Sequence, residues 1–311
     1  MKPVISVMML AYNHQSFIRE ALDSILMQIT DLPYEIVIGD DASQDNTPII
    51  LEEYREKYPD IIRVISHSKN IGAMNNHKQT MQACRGEYIA ICEGDDYWSD
   101  RHKLNKQHAL LDSVPELSFV CHRVDYYYQK EKRMEPWGAE YFTPGQQYRK
   151  ITLDTLFEPY LVRTVSVMYR ASAINNDVAV NQDFFKDLFL FAMLLANGEA
   201  WFVNDNMAVY RIHDQGIWSG QGSVRNLYSN AMTGIHLNRY FKGENATINL
   251  YTYHQLKNLF AALEKETSPN YRMIDEISRP LLQHFGHHLR WNKKLKHRWI
   301  WLRSKAALML R

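Results

Sequence analysis

The sequence predicts an α/β fold in which helices cover both faces of a mostly parallel sheet. Short apolar runs alternate with segments of helical apolar spacing through the first hundred residues, which is the pattern of such folds. With 311 residues, the chain is long enough to bury a sizeable core. Polar clusters follow three of the apolar runs, where the carboxyl ends of parallel strands gather ligands. The sequence therefore predicts one ligand site at that edge of the sheet.

Four strands and three helices are predicted in alternation over residues 1–100. Apolar runs predict strands over residues 4–10, 34–38, 61–65 and 88–92, and each run is too short for a helix. Parallel neighbours need crossover connections, which are usually helices. The helical spacing that meets this need covers residues 17–26, 47–58 and 75–84.

An acidic cluster follows the fourth strand, in the stretch RGEYIAICEGDDYWSD that ends at Asp100. Glu93, Asp95 and Asp96 repel one another unless a counter-charge compensates them, and a divalent cation with a phosphate ligand is one such partner. The alternative is a polar turn in which Asp95 and Asp96 only form the turn and cap a helix. The stretch alone leaves both interpretations open.

Two further loops, Tyr12-Asn13-His14 and Asp40-Asp41, are predicted to converge on the acidic cluster. A tyrosine ring can stack on a base, and a carboxylate can accept hydrogen bonds from a base or a ribose. The three loops together predict a nucleotide site. No Gly-rich phosphate loop follows the first strand, which argues against P-loop enzymes and dinucleotide-dependent dehydrogenases.

The second part of the chain continues with strands, helices and one irregular segment. Residues 129–149 are polar and contain Gly and Pro, which predicts a mobile loop or an irregular hairpin. Beyond Val224 the pattern is helical, with a break at residues 242–244. The other predicted elements are helices over residues 101–113 and 184–196, and strands over residues 117–128, 164–170, 201–203 and 207–209.

Asp187 and His213 are the candidate functional residues of this part of the chain. Asp187 lies near the start of an apolar helix, where an acid most often caps the helix or complements its dipole. His213 stands between Ile212 and Asp214 in a Gly-containing loop. It is either a metal or phosphate contact or a hydrogen-bonded structural residue.

Composition excludes several classes of protein. The net charge of +1 predicts no attraction to nucleic acid, and no apolar run is long enough to predict a membrane span. The three cysteines show no ligand spacing, which is typical of reduced core residues in a cytosolic protein. Residues 290–311 carry eight Lys or Arg, three Trp and no acid. This segment is either a helix on an anionic membrane surface or a solvated helix packed on the body.

Four stretches resemble signature blocks of family 2 glycosyltransferases, which have the GT-A fold. They are VISVMMLAYNHQSFIREALDSILMQ, EIVIGDDASQDNT, NIGAMNNHKQTMQACRGEYIAICEGDDYW and the acceptor-side block KDLFLFAMLLANGEAWFVNDNMAVYRIHDQGIWS. The resemblance implies a GT-A catalytic domain over residues 1–222, in which residues 1–100 bind the nucleotide and residues 101–222 the acceptor. A helical C-terminal extension over residues 223–311 follows.

The resemblance also implies roles for the matching residues. Asp187 is the expected catalytic base, although Leu188 replaces the Trp that commonly follows it. Asp96 and His213 are the expected metal site for Mn²⁺ or Mg²⁺, and Glu93 stands where many members have Asp. The expected nucleotide contacts are Ala11, Tyr12, Asn13, Asp41, Asn70 and Asp95, with Asp41 on uracil and Asp95 near the ribose. The expected acceptor or donor sugar contacts are Glu93, Trp98, Trp218 and Ser219.

The implied function is inverting transfer of a sugar from a nucleotide-diphosphate donor, a UDP-sugar given Asp41, to a hydroxyl of a glycan or lipid-linked acceptor. A single displacement needs a base and a cation at the leaving group, but no covalent nucleophile. The alternatives are a nucleotidyltransferase, which would want a Gly-rich basic loop, and a non-catalytic nucleotide-sugar-binding module. The expected location is the cytoplasm, with peripheral attachment to the inner face of the membrane through residues 290–311.

Overall fold

The structure is a computed structural model that describes residues 2–175, 179, 182, 184–216 and 223–263. The chain divides into two compact units, Met1–His213 and Asp214–Arg311. This division falls ahead of the boundary expected between residues 222 and 223.

The first unit is built on a ten-stranded sheet that lies within the described residues. The strands are β1 (Ile5–Ala11), β2 (Tyr34–Asp40), β3 (Ile62–Ser66), β4 (Tyr88–Ile91), β5 (Tyr97–Trp98), β6 (Leu117–Tyr128), β7 (Arg133–Trp137), β8 (Tyr148–Ile151), β9 (Met168–Arg170) and β10 (Glu199–Ile212). Their order is β3-β2-β1-β4-β9-β6-β10-β5, with β7 beside β6 and β8 beside β10.

Five helices of the described residues belong to this unit. They are α1 (Ile18–Leu26), α2 (Thr47–Lys57), α3 (Ala73–Ala83), α4 (Lys103–Ser113) and α5 (Asp187–Leu195). In α1 the apolar residues Ile18, Ala21, Leu22 and Ile25 are buried, and their spacing forms one stripe along the helix. The mixed α/β architecture with helices around a central sheet is the predicted fold class.

The strands β1 to β4 form the parallel half of the sheet, in which β1 pairs with β2 and β4, and β2 with β3. The strands β1, β2 and β4 are almost entirely buried, as expected for parallel strands covered on both faces. The other half is mixed, because β9 runs antiparallel to both β4 and β6. The carboxyl ends of β1, β2 and β4 therefore meet at one edge, as predicted.

Three segments of the second half differ from their predicted form. Residues 164–166 form a 3₁₀ turn, so that only Met168–Arg170 is a strand. The strands predicted over residues 201–203 and 207–209 are one strand, β10, whose register against β6 shifts between Val203 and Ala208. Such bulges interrupt the alternation of side chains, which is why the sequence suggests two strands. Residues 129–149 include β7, which pairs antiparallel with β6 and matches the hairpin alternative.

The described part of the second unit consists of two helices, α6 (Ser223–Tyr240) and α7 (Ala246–Leu263). The predicted break between them is present, where Lys242 and Gly243 take positive φ angles of 53° and 72°. The two helices approach closely at Gly234, where an added Cβ would lie 2.8 Å from Oγ1 of Thr252. Among the described residues, no helix combines the length and the apolar character that a bilayer crossing requires.

Candidate active site

The acidic loop lies between β4 and β5, at the carboxyl edge of the parallel half. The amide of Gly94 donates to the carbonyl of Leu10 at 3.0 Å, which ties the loop to the end of β1. A Cβ at position 94 would lie 2.7 Å from Nδ1 of His14 and from Cδ1 of Ile18, so only glycine fits. The close packing of this glycine brings the acids of the loop against the loop that follows β1.

Asp95 meets two histidines at the surface of the cleft. Its Oδ2 lies 3.1 Å from Nε2 of His213 and 3.8 Å from Nε2 of His14. The ring of His213 packs on Phe17, with 4.7 Å between the ring centroids. Burial disfavours the charged form of the Asp95 carboxyl, but the hydrogen bond to His213 and the charge of His14 hold its pKa below the ordinary value. Of the three acids in the cluster, Asp95 is therefore the one whose surroundings favour the ionised form.

Asp96 has a different environment from its neighbour. The residue is 3% exposed, and its Oδ1 accepts a 2.7 Å hydrogen bond from the backbone amide of Arg211. Burial, together with the charges of Asp95 and Glu93, raises the pKa of the Asp96 carboxyl well above its ordinary value. One oxygen of the carboxylate expected to bind the metal, Oδ1, is thus engaged with the backbone of β10.

Arg211 supplies positive charge beneath the acidic loop, and the sequence alone assigned it no role. Its Nε donates to the backbone carbonyl of Asp95 at 2.8 Å. Its Nη1 donates to Oε1 of Gln129 at 2.6 Å, and its Nη2 donates to Oε2 of Glu20 at 2.5 Å. The guanidinium carbon also lies close to three aromatic rings. It is 4.9 Å from the ring centroid of Phe17 and 5.3 Å from those of Tyr97 and Tyr127. These contacts join the acidic loop to α1 and to the end of β6.

Glu93 lies on the other side of the acidic loop, next to the 3₁₀ turn. Its Oε2 accepts a 2.6 Å hydrogen bond from the hydroxyl of Thr164. Burial and the charge of Asp95 raise the pKa of Glu93 to about 8, and the charge of Asp187 acts in the same direction. The carboxyls of Glu93 and Asp187 therefore interact electrostatically.

Asp187 is the first residue of α5 and is half-buried. Burial raises the pKa of its carboxyl above the ordinary value, while its backbone contacts and the charges of Lys186 and Arg163 act in the opposite direction. A carboxyl with a raised pKa is a candidate general base, since such a group takes up a proton more readily. Its place at a helix N-terminus is also that of a dipole partner, so the two roles coexist.

Hydrogen bonds tie the end of β1 and the loop after it, which carry three of the predicted nucleotide residues, to the loop after β2. Asn13 has a φ of 58°, and its backbone N–H donates a 2.9 Å hydrogen bond to Oγ of Ser43. Its Oδ1 accepts from the amide of Gln44 at 2.7 Å. Ala11 is buried at the end of β1, and its carbonyl accepts from the amide of Asp41 at 3.0 Å. These bonds hold the loops after β1 and β2 together as one surface, which we call the floor of the nucleotide site. Tyr12 on this floor is 44% exposed.

Asp41 connects this floor to the loop before α3. Its Oδ1 accepts from the amide of Ile71 at 2.7 Å, and its Oδ2 accepts from the amide of Gly72 at 3.0 Å. The amide of Gly72 also donates to Oδ1 of Asn70 at 3.1 Å. Each carboxylate oxygen retains a second lone pair for a base donor. The structure thus brings Asp41 and Asn70 together.

Three residues expected to contact sugar stand apart from the cleft or outside the described residues. Trp98 is 1% exposed, and the ammonium of Lys103 lies 4.2 Å from its ring centroid. Trp98 is therefore a core residue, because its place on β5 buries the ring in the interior of the protein. Trp218 and Ser219 lie outside the described residues.

The residues present can be tested against a divalent cation by their donor atoms. Among the described residues, no group of three or more His, Cys, Asp or Glu side chains is arranged to hold a metal ion. The pair Asp95 and His213 does bring a carboxylate oxygen and an imidazole nitrogen to one point. Cations that act with nucleotides take few protein ligands and complete their shell with phosphate oxygens and water. The pair therefore fits a cation shared with a diphosphate.

Comparison with known families and proteins gives a consistent result. The model of a family described as glycosyl transferase family 2 matches residues 6–175. An uncharacterized protein of Mycobacterium tuberculosis strain H37Rv is 39% identical over 213 residues, which are 68% of this chain and 60% of that protein. The chain thus spans about 60% of the length of this mycobacterial relative. The putative teichuronic acid biosynthesis glycosyltransferase TuaG of Bacillus subtilis is 27% identical over 71% of this chain and 83% of its own length.

Solved structures show the same fold. TarS residues 1–349 of S. aureus, in complex with UDP-GlcNAc, has a TM-score of 0.65 at 16% identity, over 97% of this chain and 88% of that one. The mannosyltransferase PcManGT of Pyrobaculum calidifontis, in complex with GDP-Man and Mn²⁺, has a TM-score of 0.55 at 16% identity, over 100% of this chain and 81% of that one. At this identity the likeness concerns the fold alone.

Proposed function

The chain belongs to glycosyl transferase family 2, and on that premise we propose that it transfers a sugar from a UDP-sugar to a hydroxyl of a glycan or lipid-linked acceptor. The observation that carries the proposal is the arrangement around the acidic loop. Asp95 of this loop meets His213, and the charge of Asp187 acts on the carboxyl of Glu93 in the same loop. Single displacement at a sugar carbon needs these two groups, one for the leaving diphosphate and one for the attacking hydroxyl.

The uridine part of the donor is assigned to the floor made by the loops after β1 and β2. Tyr12 offers an exposed ring against which a base can stack. Asp41 is held by two amides, so its remaining lone pairs point in fixed directions toward a base donor. This rigidity supports recognition of one base, and uracil presents the N–H donor that a carboxylate needs.

We assign the divalent cation, Mn²⁺ or Mg²⁺, to Asp95 and His213 rather than to the expected Asp96 and His213. Asp96 is buried and accepts from the Arg211 amide, whereas the surroundings of Asp95 lower its pKa and its Oδ2 meets Nε2 of His213. A cation at this pair would supply positive charge to the departing diphosphate. Asp96 then acts by fixing the acidic loop to β10.

We assign Asp187 the role of the base that accepts the proton of the acceptor hydroxyl. Its raised pKa keeps the carboxyl a stronger base than an exposed aspartate, and its first-turn position on α5 fixes the side chain. Glu93, hydrogen-bonded to Thr164, lies where it can orient sugar hydroxyls. Because the hydroxyl attacks the sugar directly, no covalent enzyme intermediate forms, and the sugar carbon inverts.

The acceptor class follows from the relative that has an assigned pathway. TuaG is described as acting in teichuronic acid biosynthesis, which supports a surface polysaccharide as the acceptor of this chain. The basic, Trp-containing segment 290–311 lies outside the described residues, and we assign it peripheral binding at the inner membrane face. Vesicle co-sedimentation with and without this segment checks that assignment, and equal sedimentation of both proteins would refute it.

A thermal stabilisation screen tests the proposed donor. A ligand that binds only the native state raises the unfolding free energy by about 2.7 kcal/mol at a hundred times its dissociation constant. UDP with Mn²⁺ is expected to raise the melting temperature more than GDP or CDP with Mn²⁺, and more than UDP with EDTA. Equal stabilisation by the three nucleotides would refute the base assignment. Failure of every UDP-sugar to release UDP would refute the activity.

A further inference from the structure

We propose that Arg163 forms the anion-binding part of the acceptor subsite, so that the acceptor carries a phosphate or carboxylate group. The inference rests on the proposed function, because it takes Asp187 as the base on the acceptor side. It adds a substrate class to that function, which by itself requires only an acceptor hydroxyl.

The first observation is that, among the described residues, the guanidinium of Arg163 forms no ion pair and no hydrogen bond with a carboxylate. Its Nε donates to the hydroxyl of Tyr126 at 2.7 Å, and its Nη1 donates to the carbonyls of Tyr160 at 3.1 Å and Val162 at 3.2 Å. All three acceptors are neutral, and within the described part of the chain Nη2 has no hydrogen bond. Arg211, by contrast, pairs with the carboxylate of Glu20. Nη2 of this half-buried guanidinium is therefore available to donate to a bound anion.

The second observation is that aromatic rings fix the plane of the guanidinium. Its carbon lies 4.1 Å from the ring centroid of Trp137, 5.7 Å from that of Tyr126 and 5.6 Å from that of Tyr160. The guanidinium is planar by its own bonding and presents a fork of donors that matches carboxylate and phosphate oxygens, and the neighbouring rings limit its movement. The partly exposed rings also offer flat surfaces to the C–H face of a sugar. The surroundings therefore suit an anionic sugar rather than a free ion.

The third observation is the place of Arg163 beside the reacting groups. The next residue, Thr164, donates to Oε2 of Glu93 at 2.6 Å. The positive charge of Arg163 acts on the carboxyl of Asp187, where it opposes the effect of burial on the pKa. An anion bound to Arg163 would thus be held next to Thr164, the residue that contacts Glu93 of the acidic loop.

Binding of small probes to the full chain tests the inference. The protein is saturated with UDP and Mg²⁺, so that the donor diphosphate site is filled. Methyl glucuronide, methyl glucoside and inorganic phosphate are then titrated and followed by ligand-detected NMR. The wild type should bind methyl glucuronide or phosphate about tenfold more tightly than methyl glucoside, which is the ratio expected for one charge-assisted hydrogen-bond pair. The two anionic arms show whether carboxylate or phosphate is preferred.

Arg163→Gln removes the charge and keeps much of the side chain. It should lower the affinity for the anionic probe about tenfold and leave methyl glucoside and UDP unchanged. The matched control is Arg133→Gln, since the Arg133 guanidinium also stacks on a ring, that of Tyr128 at 4.1 Å, but is paired with Glu135. The control should bind all probes as the wild type does.

Several outcomes would overturn the inference. They are an unchanged anion affinity in Arg163→Gln, a parallel loss of UDP and of both sugars, and binding of the anion by the wild type only in a parallel titration without UDP. The last would place the anion in the donor site. If Arg163→Gln does not fold, equal binding of methyl glucuronide and methyl glucoside by the wild type overturns it. UDP release from UDP-sugars, measured in parallel, shows separately whether the proposed function holds.

Discussion

Nε2 of His213 lies 3.1 Å from Oδ2 of Asp95, although 118 positions separate the two residues in sequence. Nε2 of His14 approaches the same oxygen at 3.8 Å. Oδ2 of Asp95, in the acidic loop, therefore meets one side chain from the end of β10 and one from the loop after β1. This contact is the point on which the proposed metal and diphosphate chemistry depends.

Asp95→Asn should weaken Mn²⁺ binding at least about tenfold in the presence of UDP, because the carboxylate is the charged ligand of the pair. Asp96→Asn keeps an oxygen for the Arg211 amide, so its Mn²⁺ affinity should stay close to that of the wild type. Isothermal titration calorimetry with Mn²⁺ measures both. The opposite order, with Asp96→Asn losing the metal and Asp95→Asn retaining it, would return the metal to Asp96.

Arg211→Gln should lower the unfolding free energy by about 3 kcal/mol, because it removes a buried charge that compensates the acidic loop. The side chain of Arg211 is only 4% exposed. Urea unfolding measures the effect. The control is Arg55→Gln, whose exposed pair with Glu52 should contribute less than about 0.5 kcal/mol. Equal values for the two variants would show that Arg211 has no such role.

Ala42→Gly should raise the unfolding free energy by about 0.5 to 1 kcal/mol. Ala42 has a φ of 57°, a left-handed conformation that costs a residue with a Cβ about 1 to 2 kcal/mol and costs glycine little. The matched control is Ala109→Gly, at an exposed position inside α4, which should lose about 1 kcal/mol. Thermal or urea unfolding distinguishes the two signs, and destabilisation by Ala42→Gly would contradict the strain.

Lys103→Met should change how stability depends on pH. Burial lowers the pKa of Lys103 from 10.5 to about 7, so between these values the unfolded chain binds more protons than the folded one. The stability contributed by neutral Lys103 is present above the unfolded pKa and is lost as pH falls through 7. We therefore expect the unfolding free energy of the wild type to increase relative to that of Lys103→Met as the pH rises from 7 to 9. The increase should be up to about 1.4 kcal/mol per pH unit.

Lys106→Met is the control for this pH dependence. Lys106 lies on the same helix but is exposed, and its ion pair with Asp100 raises its pKa. The difference between the wild type and Lys106→Met should stay flat over the same pH range. A flat difference for Lys103→Met as well would show that Lys103 remains charged in the folded protein.

The parallel half of the fold and the position of its polar loops could be predicted from sequence because they follow local patterns. Apolar runs and helical spacing define β1 to β4 and α1 to α3 without reference to the rest of the chain. The second half is less predictable, since β10 is continuous only because it pairs with β6 through a bulged register. Such pairing depends on residues far apart in sequence.

The site shows the same limit. Sequence motifs identify Asp95, Asp96 and His213, but they do not say which carboxylate faces His213. That choice depends on the turn of the acidic loop, in which Gly94 packs on His14 and Asp96 reaches the Arg211 amide. Trp98 illustrates the same point, because its neighbouring acids suggest a place in the cleft while β5 turns it into the core.

The central claim is that Asp187 activates the acceptor for a sugar whose diphosphate is held at Asp95 and His213. UDP release from the UDP-sugar selected by the stabilisation screen, compared between the wild type and Asp187→Asn, tests it most directly. Asp112→Asn, at an exposed position of α4, is the control. The rate should fall by about 10²- to 10⁴-fold in Asp187→Asn, with UDP affinity unchanged. Release at the wild-type rate by Asp187→Asn would contradict the claim.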